Sequence, residues 1–205
     1  ANIRFAKKKI AATGMTKQFD ACLVADACEM PSLQNASFDA VLCMGPLYHL
    51  QKFDDRIRCL RECSRVMKTG SPLFITVLPR LTYLRDALRS GTFPSLIPHG
   101  LEALDDIYAR GYSHRSQVPQ TYYCHPDEVK MMVEKSGFDL QELASCHGCA
   151  SFMDERINEI GKNAEAWNAL IRWVIATCKD PESLAMAEHL FGVGRKRESS
   201  GEIVC

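Results

Sequence analysis

The stretch 26–50 constrains the fold most, because it places turn signals on both sides of a short apolar run. Residues 41–44 are this apolar run, and Gly45-Pro46 ends it abruptly, which predicts a buried strand followed by a tight turn. The turn places Tyr48 and His49 just past the carboxyl end of the strand. Ligands of open α/β sheets bind in the crevice at the carboxyl ends of strands. We therefore expect the functional site here.

The rest of the chain alternates helical and strand patterns. Residues 72–78 form a continuous apolar run bounded by Gly70 and Pro79, which is typical of a central parallel strand. Periodic apolar residues and stop signals predict helices at 2–13, 53–67, 83–90, 101–109, 126–137 and 152–178. Further strands are predicted at 21–25, 38–44, 138–145 and 190–193. This order favours a mixed α/β fold.

Length and charge exclude several classes of protein. The 205 residues suit one domain with its own core, and 25 basic residues balance 25 acidic ones, so no electrostatic footprint for nucleic acid is present. No apolar run approaches the roughly 20 residues that span a bilayer. The ten cysteines lie largely inside regular patterns, which favours free thiols in a reducing compartment, the cytoplasm. The oligomeric state stays open.

Three segments resemble class I S-adenosylmethionine-dependent methyltransferases, in particular the group that includes the ubiquinone and menaquinone methylases. Residues 24–27 resemble the acidic turn after the third strand of that family, and residues 37–41 resemble the fourth strand. Residues 61–70 resemble the helix end that precedes the fifth strand. The three motifs occur in order and at the right spacing within about the first 80 residues, and their combination is more specific than any one of them.

The resemblance implies a Rossmann-like sheet of strand order 3-2-1-4-5-7-6. The family's first two strands and its glycine-rich loop would precede residue 1, so we expect an N-terminally truncated chain whose sheet lacks those strands. Residues 21–25 would then lack strand partners, and would pair elsewhere, be covered or fray. We expect a single domain over 1–205, with a helical lid insertion at 81–120 and a loose tail at 195–205.

The resemblance also implies an activity, the transfer of a methyl group from S-adenosylmethionine to a small-molecule acceptor. Asp26 would accept a hydrogen bond from the adenine amino group, and the Ala27 amide would donate to the adenine ring. Cys43, Met44 and Gly45 would line the methionine half of the cofactor through backbone groups. The alternatives are a solvated turn aspartate at position 26 and an ordinary strand end at positions 43–45.

Tyr48 and His49 are the candidate catalytic pair. Methyl transfer needs mainly proximity and alignment, and a base is required only if the acceptor must lose a proton. Histidine titrates in the useful pH range. Packing or helix capping is the alternative role for both residues.

Three further hypotheses concern a metal site, an inactive scaffold and an oxidoreductase. The single C-x-x-C motif at 146–149 is half of the usual four-ligand zinc pattern, so we expect no metal and regard these cysteines as structural. A catalytically inactive methyltransferase-like scaffold is the alternative to the enzyme. Under the methyltransferase hypothesis, we expect these 205 residues alone to bind S-adenosylmethionine poorly, whereas the scaffold would be cofactor-free. A nucleotide-binding oxidoreductase has little support, since it would also need a glycine-rich loop.

Overall fold

The computed structural model describes residues 2–96, 101–112 and 120–198, in which ten α-helices accompany a five-stranded sheet. The strands are β1 (Val41–Cys43), β2 (Pro72–Pro79), β3 (Tyr123–Cys124), β4 (Phe138–Ser145) and β5 (Leu190–Lys196). The helices are α1 (Asn2–Ala12), α2 (Pro46–His49), α3 (Phe53–Val66), α4 (Leu81–Arg89), α5 (Phe93–Leu96), α6 (Glu102–Arg110), α7 (Pro126–Lys135), α8 (Asp154–Ile160), α9 (Ala164–Thr177) and α10 (Pro181–Ala185). Among the described residues, no helix is long and apolar enough to cross a membrane.

The sheet has the order β1-β2-β5-β4, with the short β3 pairing with the end of β2. β1 and β2 run parallel, whereas β5 is antiparallel to both β2 and β4. This is the 4-5-7-6 half of the sheet expected from the resemblance. The main core lies where α3 and α7 pack with the sheet, around fully buried Leu60, Leu73, Val129 and Phe138.

The predicted strand at 21–25 is wrong. These residues form no strand, and Leu23 and Val24 are 51% and 86% exposed. The physical reason is the lack of a partner, since β1 pairs only with β2 among the described strands. Of the three expected outcomes, pairing with the fourth strand does not occur among the described residues.

Several boundaries also differ from the predictions, and β1 (Val41–Cys43) is shorter than the strand predicted at 38–44. The single helix predicted at 152–178 is divided into α8 and α9, because the side chain of Asn163 accepts a hydrogen bond from the amide of Ala166 and caps a new helix. The prediction of a loose tail from residue 195 places the start of the tail too early. Arg195 and Lys196 belong to β5, and the Lys196 amide donates to the Ser71 carbonyl at 3.0 Å.

The predicted lid insertion contains α4, α5 and α6. The ranges 97–100 and 113–119 of the insertion, and 199–205 of the tail, lie outside the described residues. The lid role stays a prediction.

Candidate functional site

The exit from β1 forms one wall of the site. Gly45 has φ +121°, a conformation that side chains disfavour, and it redirects the chain from β1 into α2. Pro46 starts α2 and buried Leu47 anchors the helix in the core. The Tyr48 carbonyl accepts a hydrogen bond of 2.8 Å from the Tyr122 amide, which ties α2 to the segment before β3. The turn predicted from Gly45-Pro46 is thus confirmed.

Tyr48 lies in a cluster of aromatic rings at the carboxyl edge of the sheet. Its ring centroid is 4.8 Å from that of His49 and 6.2 Å from that of His189, and His189 is 6.5 Å from His147. His189 precedes β5, whose first residue pairs with the carboxyl end of β2, and its carbonyl accepts a hydrogen bond from the Cys146 amide at 3.0 Å. The structure therefore adds His147 and His189 to the two predicted residues. Sequence reasoning missed both, because neither belongs to a motif near residues 26–50.

The titration of His189 is shifted by its surroundings. Burial lowers the pKa of His189, and the charge of His147 lowers the pKa further, while Glu188 opposes both effects. A lowered pKa keeps the imidazole neutral at neutral pH, and a neutral imidazole can accept a proton. Glu188 is itself held in place, because its carboxylate accepts a hydrogen bond from the Phe152 amide.

A cavity of about 770 Å³ opens at the carboxyl ends of β2 and β3. Its walls come from the β2 exit, α6, the start of α7 and α10, and include Arg80, Leu81, Tyr108, His125, Asp127 and Leu184. Thr82, which follows the lining residue Leu81, ties this region to the chain before β5, because its hydroxyl donates to the carbonyls of Ala187 and Glu188. The volume suits a small organic molecule.

A second cavity, of about 700 Å³, contains a buried arginine. Arg56 is 3% exposed, and its NH1 atom donates to the carbonyls of Leu50 and Gln51 at 2.8 and 2.7 Å. Its guanidinium carbon lies 3.4 Å from the centroid of the Tyr122 ring. Burial lowers the pKa of Arg56, and the π face of Tyr122 provides part of the stabilisation that water would otherwise give.

The Tyr122 hydroxyl extends this arrangement across the cavity. It donates to the carboxylate of Glu128, which also forms an ion pair with Arg80 at the end of β2. Burial, and then the hydrogen bond to Glu128, raise the pKa of Tyr122. The polar chain connects α3, the segment before β3, α7 and the β2 exit, so the walls of the two cavities are linked. No sequence pattern indicated it, since the four side chains are scattered along the chain.

The acidic turn lies against α3. Asp26 is exposed, and its Oδ1 accepts a hydrogen bond from the Cys28 amide at 2.8 Å, while Ala27 packs on the core. Arg65 fastens the loop that follows by donating to the carbonyls of Met30 and Leu33. Burial raises the pKa of Cys28 to about 11, with added contributions from Cys59 on α3 and from Asp26.

The strand exit meets the same helix, so the two predicted cofactor-binding segments share α3 as a support. The Cys43 thiol is buried and lies 3.9 Å from the Cys59 thiol, whereas Met44 is 42% exposed at the edge. Only the backbone of Cys43 can therefore face the crevice. The cofactor roles of Asp26, Ala27, Cys43, Met44 and Gly45 stay predictions, as do the catalytic roles of Tyr48 and His49.

The sheet order belongs to a Rossmann-like fold of the kind found in class I methyltransferases. Residues 1–75 match the family model described as a methyltransferase domain. No curated protein matches the sequence. The family match and the fold together confirm the resemblance to class I methyltransferases.

Solved structures with the same fold differ in reaction and length. A SAM-dependent methyltransferase from Methanosarcina mazei has a TM-score of 0.55 at 13% identity, over 96% of this chain and 78% of that one. The [4+2]-cyclase SpnF has 0.53 at 15% identity, over 96% and 63%. The mitomycin 7-O-methyltransferase MmcR has 0.52 at 14% identity, over 95% and 39%. The chain thus spans less than two thirds of SpnF and MmcR. At these identities the likeness shows the fold alone.

Proposed function

We propose that this chain takes part in S-adenosylmethionine-dependent methyl transfer to a small-molecule acceptor. The observation that carries the proposal is the cluster of Tyr48, His49, His147 and His189, which shares the carboxyl edge of the sheet with a cavity of about 770 Å³. The match of residues 1–75 to a methyltransferase domain supports the same function.

The residues at the β1 side fit one wall of an adenosyl site. Asp26 presents an exposed carboxylate to an amine, and Ala27 is small enough to let a ligand approach the backbone. Gly45 leaves the strand exit without a side chain, so Met44 and Gly45 can contact the other half of the cofactor through the backbone. S-adenosylmethionine, when bound, supplies a methyl group activated by a sulfonium leaving group.

The chain's own contribution is alignment and proton removal. Tyr48 and the walls of the cavity would hold the acceptor, and neutral His189 would take the proton from an acceptor nitrogen or oxygen. His49 is the exposed alternative for the same step, in line with its predicted role. The acceptor is expected to be a nucleophile that must lose a proton.

The test measures labelled methyl transfer by the intact natural protein to a panel of small amines and hydroxyl compounds. His189→Gln should lower kcat by roughly 100-fold or more if the imidazole acts as a base. Asp26→Asn should raise the KM for S-adenosylmethionine, whereas Asp39→Asn, an exposed residue paired with Lys68, should not. The absence of both cofactor binding and methyl transfer would contradict the proposal and favour the inactive scaffold.

We also propose a cytoplasmic location. All nine cysteines of the described residues are free, as expected in a reducing compartment. Recovery of the protein from an oxidising compartment by cell fractionation would contradict this.

A further inference from the structure

Three buried thiols meet between β1 and α3. Cys59 and Cys63 are one helical turn apart on the face of α3 that packs on the sheet, and Cys43 ends β1. The Cys43 and Cys59 sulfurs are 3.9 Å apart, and all three sulfurs lie within 4.8 Å of one another. The side chains are 4%, 0% and 4% exposed, in the order Cys43, Cys59, Cys63.

We propose that Cys43, Cys59 and Cys63 form a binding site for a soft divalent metal ion of the zinc group. Zinc–sulfur bonds of about 2.3 Å place neighbouring sulfurs roughly 3.8–4.0 Å apart in tetrahedral or trigonal geometry. The distance of 3.9 Å between Cys43 and Cys59 already has this value. The third sulfur needs to move by about 1 Å or less, which a side-chain rotation can provide.

The charge at the cluster favours a divalent ion. Three thiolates around a monovalent ion would bury a net charge of −2, whereas a divalent ion reduces it to −1, at a lower desolvation cost. Soft thiolate ligands also select zinc-like ions over hard cations such as Mg²⁺.

Metal binding requires thiolates, so it displaces the thiol protons into solvent. This site is separate from the exposed C-x-x-C cysteines, Cys146 and Cys149.

The experiment titrates the reduced, metal-free full chain with Cd²⁺ and with Zn²⁺. We expect one ion per chain, an ultraviolet cadmium–thiolate charge-transfer band, and proton release on binding. Substitution of a residue that only supports a metal ligand lowers metal affinity by up to roughly 100-fold. Cys63→Ser removes a ligand, so it should lower the affinity for the metal by more than this. Cys178→Ser, which alters a half-buried cysteine after α9, should leave affinity and band unchanged.

X-ray absorption of the zinc-loaded natural chain counts the sulfur ligands without any substitution, and at least three are expected. Cys59→Ala provides a second variant if Cys63→Ser does not fold. The proposal is overturned if the charge-transfer band is absent, if fewer than three sulfurs coordinate zinc, or if folded Cys63→Ser or Cys59→Ala binds Cd²⁺ like the natural chain.

Discussion

Gly111→Ala is expected to destabilise the protein through a steric clash next to the candidate site. Gly111 ends α6 with φ +82°, and an added Cβ would lie 2.3 Å from the carbonyl oxygen of Tyr123 and 2.7 Å from the ring of Tyr122. The left-handed backbone costs a non-glycine residue about 1–2 kcal/mol. The clash adds about 1–3 kcal/mol, because the obstacle is backbone and cannot rotate away. The total is about 2–5 kcal/mol.

The clash also has a local consequence. The Gly111 carbonyl accepts a hydrogen bond of 2.5 Å from the Tyr123 amide, and Tyr123 begins the strand that pairs with the end of β2. Displacement of this strand would separate the Tyr122 ring from Arg56, which lies against it. We therefore expect lost stability together with altered cavity walls.

Gly91→Ala is the matched control. Gly91 has φ +71° and no heavy atom within 4 Å of the added Cβ, so it isolates the backbone cost. Urea denaturation followed by circular dichroism gives both free energies of unfolding, and the difference should be about 1–3 kcal/mol. In thermal unfolding each kcal/mol corresponds to about 2–4 °C for a domain of this size. Equal losses in the two variants would refute the steric reasoning.

Three further predictions concern charge and capping. Burial lowers the pKa of His189, so the unfolded chain binds the proton more tightly, and stability should fall as the pH drops through the ordinary histidine pKa of about 6.5. His189→Gln should flatten this pH dependence of the free energy of unfolding, measured by urea titration. An unchanged slope would contradict the lowered pKa of His189. Arg65→Lys should accelerate amide exchange in residues 30–35, because lysine cannot reproduce the forked hydrogen bonds of Arg65 to this loop. Arg58→Lys, which alters an exposed ion pair, should not. Equal exchange in the two variants would refute the role of Arg65 in holding the loop. Asn163→Ala should cost about 1 kcal/mol and loosen the start of α9, and full retention of stability would show that the cap contributes nothing.

Local patterns were sufficient to predict most elements. The apolar run at 72–78 and its flanking Gly70 and Pro79 predicted β2 to within one residue, and residues 138–145 matched β4. The helix starting at Pro126 followed from proline and two carboxylates in its first turn. Such signals depend on residues close in sequence, so they can be recognised without knowledge of the tertiary fold.

The predictions failed where structure depends on a distant partner. Residues 21–25 have the apolar composition of a strand, yet a strand needs a neighbour to satisfy its backbone, and among the described residues none pairs with it. The division between α8 and α9 was missed for a different reason, since the capping asparagine lies inside a pattern that continues to look helical.

The sequence by itself determined the α/β class, the turn at Gly45-Pro46 and the position of Tyr48 and His49 at a strand exit, because each depends on a few adjacent residues. Only the tertiary structure brought His189 to Tyr48 and the thiol of Cys43 to α3. Antiparallel pairing of β5 with β2, and packing of α3 on β1, join segments that are far apart along the chain. Proximity of that kind follows from which elements lie side by side, and no periodicity or spacing within one segment encodes it.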